Sequence, residues 1–178
     1  MLERSDEALY RRLLSGDLAA FDALHARHAR RLLGFIRAGL GGDGAEAEDV
    51  LHEVFLAVLK EKEAGRAAVS LRAWLFEVAR HLCLNRRRSA KRREAAVQAE
   101  LPSAVGPTPA DQVLAGHQRA QRLEVAVDRL PGHLGELYRL RASGLSSQEL
   151  AAALGVPEGT VKSRLHELVR RLQEDVTW

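Results

Sequence analysis

The sequence predicts an all-α protein: two small helical domains joined by a flexible linker, the C-terminal one a helix-turn-helix. Three observations carry this. Ala, Leu, Arg and Glu abound, whereas aromatic residues make up only 4% of the 178 residues, a composition that favours helices over sheets. Apolar residues recur at helical spacing, with no convincing β-branched alternation. Pro102, Gly106, Pro107 and Pro109 cluster where that periodicity lapses, as in a linker. The expected division is 1–94, a linker at 95–112, and 113–178.

The first helix is expected over residues 6–14. Asp17 can cap a second helix that reaches about Leu40, with Leu18, Phe21, Leu24, His28, Leu32 and Phe35 along its inner face. Gly39, Gly41, Gly42 and Gly44 break it. A third helix runs from about Ala45 to Lys62, with Val50, Leu51, Val54, Phe55, Val58 and Leu59 as its apolar set and Glu46, Glu48, Asp49 and Glu53 opposite. Residues 65–70 read as a loop. A fourth helix starts near Leu71, turns Trp74, Leu75, Val78, Leu82 and Cys83 inward, and ends in a basic run of Arg86, Arg87, Arg88, Lys91, Arg92 and Arg93. Beyond the linker, a helix is expected over 113–129 and a short one over 134–142, separated by Pro131-Gly132.

The C-terminal segment carries the sharpest local signals. Ser146 and Glu149 have capping-box spacing, so hydroxyl and carboxylate can satisfy each other's helix-end N–H groups. Leu150, Ala151 and Leu154 form a short apolar face, and Gly155 suits a left-handed helix end. Pro157 suits the first turn of the next helix. There Val161, Leu165, Leu168 and Leu172 face inward and leave Lys162, Ser163, His166 and Arg170 outside. Short helix, tight turn and longer helix with basic and hydroxyl groups outward form a helix-turn-helix, whose second helix fits a DNA major groove.

Charge narrows the classes further. The formal net charge is only +3, but its spread matters more than its sum. The basic run at 86–93 suits a polyanion, since neutralising phosphates releases condensed counterions. Trp74, upstream on the same helix, is an aromatic that can stack on a base or simply join the core. The acidic face of the third helix would repel DNA and fits a basic protein partner. Cys83 is the only cysteine, so no internal disulfide can form, and a reducing cytoplasm is expected. No stretch is apolar and long enough to span a bilayer. No His/Cys cluster has metal-ligand spacing, no phosphate-binding glycine loop or nucleophile arrangement occurs, and no cofactor is expected. The residues therefore point away from an enzyme. A free-standing helix-turn-helix regulator would explain 113–178, but not the acidic third helix or the basic fourth one.

The arrangement resembles a known family. Ala47 to Lys60 is similar to region 2.2 of bacterial RNA polymerase sigma factors, and Leu71 to Arg88 to regions 2.3 and 2.4. Leu130-Pro131, Gly144-Leu-Ser146 and Gly155 to Leu165 are similar to region 4. With only a short linker between, the chain resembles the extracytoplasmic-function type, group IV of the sigma-70 family. The resemblance implies a promoter-specificity subunit that binds core polymerase at the β′ clamp helices and β flap, reads two promoter elements and helps open the DNA. It implies a polymerase-binding strip of Asp49, His52, Glu53, Phe55 and Leu56. It implies that Trp74, His81, Asn85, Arg86, Arg87 and Arg88 hold the melted minus-ten strand, with the loop at 61–70 capturing a flipped base. Thr160, Lys162, Ser163, Arg164 and His166 would read the minus-thirty-five element. Promoter DNA is the expected ligand, and an anti-sigma factor wrapped between the two domains the expected inhibitor.

Overall fold

In the computed structural model, residues 5–42, 44–60, 70–100, 125–127 and 129–175 are described, with side chains to 96 in the fourth helix and to 174 at the C-terminal end. Among them lie seven helices: α1 (Asp6–Leu14), α2 (Leu18–Leu40), α3 (Gly44–Lys60), α4 (Leu71–Glu100), α5 (Gly132–Ala142), α6 (Ser147–Leu154) and α7 (Glu158–Asp175). Residues 125–127 are also helical. The rest of the helix expected over 113–129, apart from Arg129, and the loop expected over 61–69 lie outside the described residues.

Local chemistry sets most helix ends. Ser5 caps α1, accepting from the Ala8 N–H at 3.2 Å. Asp17 caps α2 through the Ala19 N–H at 3.1 Å and is also held by Arg12. That Arg12 contact, the larger influence, keeps the Asp17 carboxyl below its ordinary pKa. At α6 the capping box forms in both directions, Glu149 N–H to Ser146 Oγ at 3.2 Å and Ser146 N–H to Glu149 Oε2 at 2.8 Å. Gly155 ends α6 at φ +65°, a left-handed conformation in which any Cβ is strained.

α4 departs from the expected boundary. It continues to Glu100, across the linker start placed at 95. Glu94 to Glu100 contains no glycine or proline, so nothing stops the helix until the approach to Pro102.

The first four helices pack around a core in which Leu24, Leu32, Ile36, Val50, Val54, Leu71, Leu75 and Phe76 are fully buried or nearly so. Phe35 meets Phe76 edge-on, with centroids 5.4 Å apart. One residue of the expected α2 face is misplaced: Leu18 is 70% exposed. It opens the helix on the side away from the core, and Ala20, two residues on, takes the buried position instead. His28 is buried and bonds Asp6 of α1 at 2.7 Å through Nε2, while Arg27 pairs with the same carboxylate. Burial lowers the His28 pKa, partly countered by Asp6.

The C-terminal helices do not stand apart. Leu137, Leu140, Leu145, Leu150, Ala153 and Val161 join the same hydrophobic cluster as the N-terminal core. α6 packs on α4, and α5 reaches α2. A second, smaller cluster of Val127, Leu130, Leu134 and Leu168 ties α5 to α7.

Candidate nucleic-acid interface

α7 presents the outer face expected of a recognition helix. Val161 and Leu168 are buried, which turns Lys162, Ser163 and His166 to solvent. Thr160 and Arg164 are partly covered at the edges of this face. The Ser163 hydroxyl donates to the Thr160 carbonyl at 3.0 Å, a local bond that water or phosphate can replace. Glu167 shares the helix, but its carboxylate is engaged by Arg171 at 3.0 Å, one turn on. That i,i+4 pair reduces the repulsion a bare carboxylate would offer to phosphate.

On α4 the helix separates residues that are contiguous in sequence. Trp74, His81, Asn85 and Arg88 are spaced by seven, four and three, so they share one side. His81, Asn85 and Arg88 are exposed, and Trp74 is half-buried against the core. Arg86 and Arg87 do not join them. Arg86 pairs with Glu53 and lies 3.9 Å from Glu46, both on α3. Arg87 lines a cavity between α4 and α5 together with Arg80, Cys83, Glu136 and Arg139. The basic block thus splits into three directions, leaving an aromatic-amide-basic strip suited to stacking and holding a single strand.

On α3, Asp49, His52 and Leu56 are exposed at spacings of three and four and form a continuous strip. Leu59, 44% exposed, extends it by a further turn and belongs with it. The sequence pattern placed Leu59 in the core, because apolar character alone does not distinguish the inner face of α3 from its rim. Phe55 requires the opposite correction. It is 4% exposed, edge-on to Phe21 with centroids 5.9 Å apart and 4.5 Å from His25. A ring held in that pocket is core, not an exposed contact. Glu53 sits between strip and core, half-covered by its pairing with Arg86.

Among the described residues, no group of three or more His, Cys, Asp or Glu side chains is placed to hold a metal ion. No described helix is long and apolar enough to cross a membrane. Cys83 is buried with its thiol pushed up to about 11, mainly by desolvation.

Two family models match the chain. Residues 24–93 match Sigma-70 region 2, and residues 120–172 match Sigma-70, region 4. The chain is 34% identical over 160 residues to the ECF RNA polymerase sigma factor SigL of Mycobacterium tuberculosis, covering 89% of this chain and 90% of SigL. It is 30% identical to SigM of the same organism, covering 96% of this chain and 84% of SigM. Two solved structures share the fold. CnrH in complex with the cytosolic domain of CnrY has a TM-score of 0.70 at 24% identity, covering 96% of each chain. The sigma factor RpoE of Bartonella quintana, in complex with the anti-sigma factor NepR, has a TM-score of 0.66 at 25% identity, covering 88% of this chain and 96% of RpoE.

Proposed function

Because the chain belongs to the extracytoplasmic-function RNA polymerase sigma factors, we propose that its two exposed faces divide promoter recognition between them. The α7 face of Lys162, Ser163 and His166, flanked by Thr160 and Arg164, reads duplex DNA at the minus-thirty-five element. The α4 strip of Trp74, His81, Asn85 and Arg88 holds the opened minus-ten strand. The α3 strip of Asp49, His52 and Leu56, extended by Leu59 and bordered by Glu53, docks on the basic surface of core polymerase at the β′ clamp helices. The C-terminal unit contacts the β flap. The chain directs initiation in the cytoplasm and catalyses no covalent step itself.

The observation that carries this reading is the separation of charge by face. Acidic and apolar residues are exposed on α3, and basic and polar ones on α4 and α7. A free-standing helix-turn-helix regulator gives no account of α3. In-vitro transcription with purified core polymerase tests the proposal. Promoter-directed initiation is expected, and D49N/L56A should lose core binding while keeping duplex binding. K162A should weaken duplex binding and reduce the salt slope by about one. Absence of both core binding and initiation would overturn the reading.

An anti-sigma factor is the proposed inhibitor, supported by the RpoE–NepR complex. Purification of the tagged chain from its native host should recover such a protein. Recovery of polymerase without any inhibitor would count against it.

A further inference from the structure

A cavity of about 240 Å³ lies where α2, α4 and α5 meet, outside the reading strips. Three guanidinium groups and one carboxylate line it. Arg80 and Arg87 come from α4, Arg139 and Glu136 from α5. Phe35, Leu84 and Leu130 supply apolar wall. The cations converge from both sides. Burial, the larger influence, raises the pKa of Cys83 in this wall, while Arg87 of α4 and Arg139 of α5 both lower it. Glu136 pairs with Arg80 at 3.5 Å. Three guanidiniums less one carboxylate leave the cavity a formal surplus of two positive charges.

The wall also holds unused hydrogen-bond donors. Arg80 spends its Nη groups on Glu136 and His81, and its Nε is buried with no partner, which is costly for a guanidinium. Gly132, also in the wall, opens α5, whose N-cap is Pro131, and no side chain caps that helix. An uncapped helix start offers N–H groups and the positive end of the helix dipole to an anion. Glycine at 132 and 135 keeps the wall bare, and a Cβ built at Gly135 would stand 3.5 Å from Arg139 Nη1.

We propose that this cavity binds a small phosphate monoester. Such a group carries about −1.5 to −2 charge at neutral pH, which matches the surplus. Its oxygens accept from guanidinium forks and from helix-end N–H groups together. The volume lies below the roughly 300–1,000 Å³ of drug-sized ligand sites. The organic body is therefore short, packed against Phe35, Leu84 and Leu130, with Glu136 placed to accept from a hydroxyl on it. A phosphorylated polyol of a few carbons meets these terms, and a nucleotide exceeds them. A backbone phosphodiester meets them poorly, because it carries a single charge and brings a nucleotide on each side.

The test uses the full chain and two probes. Calorimetric titration with glycerol phosphate at low salt should show saturable one-to-one binding, and the Gly132 and His133 amide signals should shift along the same curve in nuclear magnetic resonance. Dimethyl phosphate, which mimics the DNA backbone, should bind at least about tenfold more weakly. R87Q and R139Q should each weaken glycerol phosphate by about tenfold or more. Arg87 is exposed, so R87Q tests the site even if R139Q fails the check of helix content by circular dichroism. R92Q removes an equal charge from the same helix beyond the cavity and should leave the affinity unchanged. Absence of saturable binding would overturn the proposal. So would an R92Q loss equal to that of R87Q, which marks diffuse attraction, or equal affinity for dimethyl phosphate, which assigns these arginines to nucleic acid. These readouts need neither polymerase nor promoter, so they stand or fall separately from the sigma-factor reading.

Discussion

Arg86 of α4 pairs with Glu53 of α3, so a residue expected on the DNA side and one expected on the polymerase side neutralise each other. The Arg86 and Glu53 side chains are 36% and 40% exposed, and a pair so open to solvent stabilises the fold by about 1 kcal/mol or less. Its larger effect is to fix which charges remain available on each face.

E53Q is therefore expected to lower thermal stability only slightly while loosening the Arg86 guanidinium, which keeps only its 3.9 Å contact with Glu46. Single-stranded DNA binding by the free chain should tighten by about two- to fivefold, in line with one released cation. R86Q should not show that gain. Equal single-strand affinities for E53Q and wild type, measured by fluorescence anisotropy, would show that the pair does not restrain Arg86.

The capping box at α6 gives a stability prediction. S146A removes the acceptor for the Glu149 N–H and should cost about 1 kcal/mol. G155A places a Cβ at φ +65° and should cost about 1 kcal/mol as well. Urea denaturation followed by circular dichroism measures both. A shift confined to S146A would mean that the α6 C-terminus relaxes freely.

Stability should depend on pH through His28. Its folded pKa is lowered below the ordinary 6.5 by burial, against the opposing pull of Asp6; Arg72 and Arg27 lower it further. The unfolded chain then binds the proton more readily. Stability is fully present above 6.5 and is lost as pH falls from there through the lowered folded pKa. The melting temperature should drop as the buffer is taken from pH 7.5 to 5.5. H28Q should melt lower at neutral pH but show a flatter profile. A profile for H28Q as steep as wild type would assign the slope to other groups.

Cys83 should be slow to react. With its thiol pushed up to about 11 from 9.0, the thiolate fraction at pH 8 is about a hundredfold below that of an unperturbed thiol. A disulfide reagent should label the native chain slowly and the urea-unfolded chain at the ordinary rate. Rapid labelling of the native chain would mean that solvent reaches the interior beside α2 and α4.

The features legible in the sequence were the short-range ones. The caps at Asp17, Ser146 and Gly155 and the inward-outward pattern of α7 depend on contacts within one turn. Spacing alone states them, because a helix brings residues three or four apart together whatever surrounds it. The similarity to sigma regions 2 and 4 rests on those same local patterns.

Other assignments needed the neighbours. Leu18 and Leu59 look like core residues until the packing of α2 and α3 leaves them at the rim, and Phe55 looks available until Phe21 and His25 enclose it. The basic block at 86–93 reads as one patch, yet the turn of the helix sends Arg86 to Glu53, Arg87 to the interdomain cavity and Arg88 to solvent. Ser70 and Glu149 meet across 79 residues of chain. No local rule anticipates that bond, because long-range contacts are chosen by how whole helices pack. The sequence by itself determined the helices, their caps and the kinds of surface they carry. Only the tertiary structure decided which charges remain free to bind and which are held by another part of the same chain.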